Sequence, residues 1–156
     1  MLCHLGLRLI PDFDESGLLP EGIHMADLKE IRKRYGVNAH RVRLLGGLEK
    51  ALEAFRVAGC QLLYLDGSFV TATEFPRDYD ACWDPVGVNL AALDPVFKDF
   101  SNLRAAQKAK YFGEFFPSTA RAEATSPFRT FMNFFQVDKN SGTKKGIIGI
   151  TIARIL

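Results

Sequence analysis

Cysteine is scarce in this 156-residue chain, and its placement points away from cross-linking or metal capture. Cys3, Cys60 and Cys82 form an odd set with neither Cys-x-x-Cys nor zinc-type spacing, which fits a reducing compartment. His24 and His40 stand at no metal-ligand spacing with any of them and read as partners of local backbone. Long apolar runs are lacking as well: none approaches the ~20 residues that a membrane span needs. The opening residues 1–10 are apolar but carry His4 and Arg8 and stop at Pro11, too short and interrupted for a secretory signal. A cytoplasmic location is therefore expected. Charge of one sign is also missing. A formal net charge of +2 argues against a dedicated nucleic-acid grip, while leaving room for local basic patches. Repeats and low-complexity tracts do not occur.

What the chain does have is apolar bulk. Apolar residues make up 47% of it and phenylalanine alone occurs thirteen times, so the composition excludes disorder and allows a full core. Its length predicts one domain over 1–156, with 1–25 as an irregular arm wrapped on the rest, since Phe13, Leu18 and Leu19 need cover. Helical spacing predicts a short helix over 26–35, with Leu28 and Ile31 inward and Gly36 ending it. A stronger helix is predicted over 39–58, where Leu44, Leu48, Leu52, Phe55 and Ala58 recur on one face. Gly46-Gly47 within it is read as close helix–sheet packing.

Apolar runs at 61–65 and 78–83 read as strands, the second broken by Asp84-Pro85. A loop and short helix follow over 89–100. Ser101 is placed to cap a helix over 102–112 whose apolar face is Leu103, Ala106 and Ala109. Residues 114–116 form a third strand ended by Pro117. Strands 131–137 and 146–155 are expected as a final pair across the loop 138–145. The predicted architecture is an α/β (α+β) fold, a mixed sheet of about five strands with helices packed mainly on one side.

Chemistry concentrates at the first strand pair. Gly67-Ser68 lies at a strand end, where a glycine lets backbone approach a ligand and a hydroxyl with free N–H groups suits a phosphate. Asp78 and Asp80 follow ten residues later. Residues two apart on a strand share a face at roughly 6–7 Å, so two carboxylates there can share divalent ions. Tyr79, Ala81 and Trp83 commit the other face to the core. Two adjacent acids repel unless a cation joins them. Arg77, beside the acid pair, and Arg104, Lys108 and Lys110 on the helix leading to Glu114 are candidate phosphate neighbours. Lys144-Lys145 reads as exposed loop, and Phe131, Phe134 and Phe135 as core more readily than as a base-stacking surface.

Leu65-Asp66-Gly67-Ser68-Phe69-Val70 followed by Pro76-Arg77-Asp78-Tyr79-Asp80 resembles the signature of the polymerase-beta-type nucleotidyltransferase superfamily. Its pattern is an apolar strand, Gly-Ser, a gap of about ten residues, then acid-x-acid in a second strand. The segments 18–24, 80–84, 104–108 and 134–136 resemble an uncharacterised branch of small stand-alone nucleotidyltransferase-like proteins. The resemblance implies that Gly67 and Ser68 hold a nucleoside triphosphate and that Asp78 and Asp80 bind two magnesium ions. It also implies a third carboxylate as general base toward an acceptor hydroxyl, with Glu114 the first choice and Asp138 the second. The acceptor would be a protein, RNA or small molecule, and small members of the superfamily often belong to toxin–antitoxin or phage-defence modules. The other expectation is a catalytically degenerate member that binds a nucleotide or partner protein. Sugar-nucleotide transfer through the acid-x-acid pair is weaker, because such folds normally need a longer chain.

Overall fold

The computed structural model describes residues 10–154. Cys3 and the rest of 1–9, together with 155–156, lie outside the described residues. Five strands, β1 (Gly22–Met25), β2 (Leu62–Asp66), β3 (Tyr79–Trp83), β4 (Gly113–Pro117) and β5 (Gly146–Thr151), form one mixed sheet. Its order is β1-β5-β2-β3-β4. The outer pairs β1–β5 and β3–β4 are parallel, while β2 runs antiparallel to both of its neighbours. The mixed α/β architecture expected from the sequence is present, with β5 inside the sheet.

Three helices, α1 (Leu28–Tyr35), α2 (Ala39–Val57) and α3 (Ser101–Tyr111), cover one face. Asp27 and Asn38 cap α1 and α2 by accepting from Glu30 N and Arg41 N. Leu44, Leu48, Leu52 and Phe55 of α2 pack with Leu63, Leu65, Ala81 and Phe115 of the sheet. Tyr79 and Trp83 are buried on this side, as the alternation required. Gly47 owes its place to a helix–helix contact rather than helix–sheet packing. A Cβ there would come 2.2 Å from the Tyr111 carbonyl oxygen, whereas Gly46 faces open space.

Three expectations are corrected. Residues 131–137 form no strand. Phe131–Phe134 is a short helix, α4, capped by Thr130, and Phe131, Phe134 and Phe135 recur at helical rather than strand spacing. With Phe116, Cys82 and Ile147 they cover the second sheet face. Only an isolated bridge, Val137 to Lys144, remains of the predicted pairing. The arm is not wholly irregular, because residues 22–25 enter the sheet beside β5. Finally, Ser101 does not cap α3. Asn102, Leu103 and Arg104 adopt left-handed backbone, with φ of 50°, 55° and 60°, so the helical face shifts. Leu103 is 71% exposed, and the buried α3 residues are Gln107 and Tyr111. Gln107 accepts from Phe115 N and donates to Phe97 O and Asp99 O, tying α3 to β4.

Candidate functional site

The residues singled out from the sequence surround a cavity of about 770 Å³ on the sheet face opposite the three helices. Its floor is a row of acids. Asp66 at the end of β2 is in register with Asp80 on β3, and Asp80 is in register with Glu114 on β4. Directly paired residues project from the same face, so three carboxylates line up across three strands. Asp78, just ahead of β3, is two residues from Asp80 and lines the same cavity.

Each acid at an end of the row has its own cations. Glu114 accepts from Arg104 Nε at 2.9 Å and Nη2 at 2.7 Å, with Lys108 Nζ at 3.3 Å. Asp66 is ion-paired to Lys145, and both are buried, at 5% and 8% exposure. Among the described residues neither Asp78 nor Asp80 makes an ion pair. The protonation pattern follows from that asymmetry. Burial, then hydrogen bonding to Glu114 and the charges around it, pushes the Asp80 carboxyl up to about 8. Burial and the Glu114 charge also raise Asp78. Burial works to raise Glu114, but the hydrogen bond from Asp80 and the cations Arg104 and Lys108 hold it below its ordinary value. Burial and the neighbouring carboxylates thus favour the protonated form of Asp80, while the cations on Glu114 favour its charged form. Burial also pushes Asp66 up, with the Lys145 ammonium opposing it.

Gly67 turns the chain at the end of β2 with φ of 85°, a conformation that favours glycine. A Cβ would stand 2.9 Å from Asp80 Oδ2, so turn and acid are packed against each other. Ser68 is exposed at the cavity and begins a 3₁₀ turn, Ser68–Val70. The following loop is held by the start of α2. Buried Arg41 donates to the carbonyls of Phe69 (2.7 Å), Thr71 (3.1 Å) and Thr73 (2.5 Å). Asn38 donates to Glu74 O, and the His40 ring contacts Pro76 O. Residues 69–76, which join the Gly-Ser turn to the acid pair, are thus stapled through their carbonyls. Burial pushes the Arg41 guanidinium down.

The cavity brings together Gly67, Ser68, Arg77, Asp78, Asp80, Glu114 and Asp138. Lys108 stands behind Glu114 and does not line it, and Lys110 is paired with Asp94 at 2.6 Å. Asp138 accepts from the backbone and hydroxyl of Ser141 at 2.8 and 2.7 Å, which hold its carboxyl low. The sequence reading missed Asp66 and Lys145. Lys144 is exposed and paired with Glu21, but Lys145 is a buried cavity residue, not exposed loop. The available signal was a lysine directly before an apolar strand and an acid directly before Gly67. Phe116 and α4 form the aromatic wall, while Trp83 is buried on the helical side against Phe55.

Among the described residues, no group of three or more His, Cys, Asp or Glu is arranged to hold a metal ion. The acid pair nevertheless fits magnesium. Its donors are all oxygen, among the described residues no side-chain cation is ion-paired to either carboxylate, and magnesium completes its octahedron with water and phosphate oxygens.

Fold and cavity together define a small α/β domain with an acid-floored pocket beside a Gly-Ser turn. The chain belongs to a family of unknown function (DUF6932), whose model matches residues 11–151. No curated protein and no solved structure matches it. Among the described residues no helix is long and apolar enough to cross a membrane.

Proposed function

We propose that this cavity takes a nucleoside triphosphate with magnesium and transfers its nucleotidyl group to a hydroxyl acceptor. The observation that carries the reading is the meeting, in one cavity, of the Gly67-Ser68 turn with Asp78 and Asp80, two carboxylates without an ion pair among the described residues. The resemblance to polymerase-beta-type nucleotidyltransferases supports it from the sequence side. Gly67 and Ser68 offer backbone N–H groups and a hydroxyl to the phosphates. Asp78 and Asp80 hold the cations, and Arg77 at the rim adds positive charge. Bound magnesium would neutralise and align the phosphate oxygens for in-line displacement. The acceptor oxygen forms a bond to the α-phosphorus, pyrophosphate leaves, and the hydroxyl proton passes to a carboxylate. Glu114, in register with Asp80, is the better-placed third carboxylate, and Asp138, which also lines the cavity, stands outside that row. A cytoplasmic setting and a toxin–antitoxin or defence role belong to this proposal through composition and resemblance alone.

A second reading, nucleotide binding without transfer, is favoured by one observation. Arg104 and Lys108 occupy the Glu114 carboxylate at 2.7 and 3.3 Å, and a carboxylate held by two cations is a poor proton acceptor. Calorimetric titration of ATP, GTP, CTP and UTP, with and without magnesium, tests what the readings share. Magnesium-dependent binding that disappears in Asp78→Ala/Asp80→Ala supports the site. Pyrophosphate release across a panel of hydroxyl acceptors then separates transferase from binding module. No binding of any triphosphate refutes both.

A further inference from the structure

The proposed function leaves one cavity group unused. Lys145 stands directly before β5, its backbone N–H bonded to Gln136 O and that of Gly146 to Leu19 O. Its side chain is fixed by Asp66, 79 residues earlier in the chain, and lines the cavity. An ammonium has three donors. Among the described residues one goes to Asp66 and no other acceptor is met, so two remain for a ligand in a place nearly closed to water. Asp66 is covalently next to Gly67, so the ammonium is anchored at the turn read as the phosphate cradle.

The other cavity cations differ. Arg77 and Lys139 are exposed, and holding a long mobile side chain in place costs conformational entropy. Arg104 is turned onto Glu114. Lys145 is already ordered, and a charge fixed before the ligand arrives needs no reorganisation. Its distance from the acid pair is set by register: Asp66 pairs with Asp80, so cation and acids flank the turn.

We propose that Lys145, anchored by Asp66, is a binding residue for the phosphate chain of the ligand, completing with Gly67 and Ser68 a polyphosphate cradle beside the acid pair. This rests on reading the cavity as a triphosphate site. Lysine acts there as a point charge, so it contributes to any triphosphate regardless of base.

The test replaces the pair together, because removing one partner leaves a buried charge unpaired. Wild type, Lys145→Met/Asp66→Asn, Lys145→Arg and Asp66→Asn are titrated calorimetrically with magnesium ATP, GTP, CTP and UTP and with inorganic tripolyphosphate. Thermal unfolding confirms that each is folded. The double variant is expected to lose affinity by roughly 10- to 100-fold, the size of a charge-assisted hydrogen bond. That loss should be equal for all four nucleotides and for tripolyphosphate. Lys145→Arg keeps the cation and its anchor and should retain more affinity than the double variant, while Asp66→Asn keeps the cation without its anchor and should fall between wild type and the double variant. A loss under twofold in the double variant overturns the proposal, as does one confined to nucleotides and absent with tripolyphosphate. If the double variant does not fold, Lys145→Gln/Asp66→Asn, a neutral hydrogen-bonding pair, decides: a tenfold loss equal across the five ligands supports the proposal, and affinity within twofold of wild type overturns it. Wild type that binds none of the five ligands refutes the triphosphate reading itself, a result distinct from binding that is indifferent to Lys145.

Discussion

Arg41→Met offers the most demanding test of how the cavity is built. The side chain is 2% exposed and its guanidinium donates to three carbonyls of the loop between the Gly-Ser turn and the acid pair. Methionine fills much of the volume, so the perturbation falls on those bonds rather than on a void. A hydrogen bond to a charged group contributes about 1.5–3 kcal/mol, and an acceptor left buried without a partner costs about 1–3 kcal/mol. Returning the guanidinium to water offsets part of this, since burial alone disfavours the charge. The three bonds also share one side chain and do not add fully. A net loss of about 3–5 kcal/mol is expected. For a chain of this length each kcal/mol moves the melting midpoint by about 2–4 °C, so Tm should fall by roughly 6–20 °C. Arg41→Lys keeps the charge but loses the fork and should lie between. Urea unfolding gives the free energies, and limited proteolysis at Thr73–Phe75, exposed at the cavity rim, reports release of the loop. A Tm within 3 °C of wild type, with the loop still resistant, would refute the claim that these bonds hold the loop in place.

The two adjacent glycines of α2 should respond in opposite directions: Gly46→Ala is expected to stabilise by about 0.5–1 kcal/mol. Gly47→Ala, driving a Cβ into the Tyr111 carbonyl, should cost about 1–3 kcal/mol, both read by urea unfolding. Gly67→Ala meets a left-handed φ and Asp80 at 2.9 Å. It should cost about 1–2 kcal/mol and weaken magnesium-dependent triphosphate binding in the same variant, with unchanged binding counting against the packed turn. Burial acts to raise Asp94, but Lys110, Tyr111 and the backbone N–H of Val96 hold its carboxyl below the ordinary value. A depressed folded pKa gives stability that is present above the unfolded carboxylate value near 4 and is lost as pH falls through the folded one. Wild type should therefore lose stability relative to Asp94→Asn as pH falls below about 4, and parallel acid limbs would contradict the assignment.

The sequence carried the site's local parts well because they are local. Gly67-Ser68 and Asp78-x-Asp80 belong to one strand–turn–strand unit whose alternation and turn chemistry can be read within twenty residues. The helices α1 and α2 showed their apolar stripes directly, and Gly36 the end of the first, while the N-caps Asp27 and Asn38 were not read. The partnership of Asp66 and Lys145 spans 79 residues and depends on β5 lying beside β2, which no local pattern announces. Segment 131–137 failed for a different reason. Four phenylalanyl and valyl residues in seven suit a strand by composition, and only Thr130 and the spacing of Phe131, Phe134 and Phe135 distinguish a capped turn of helix. At α3 the helical periodicity was counted from Leu103, a residue the left-handed turn takes out of the helix.

The insertion of β5 between β1 and β2 sets the order in which this protein can be made. Residues 22–25 and 62–65 stay apart, each with an open edge, until a segment about a hundred residues downstream arrives to join them. Such distant closure is slow, and the apolar edge of β2 stands open meanwhile. The same segment brings Lys145 to the cavity. An unfinished or truncated chain is therefore also an unarmed one, with the acids assembled on β2, β3 and β4 and their anchored cation still missing.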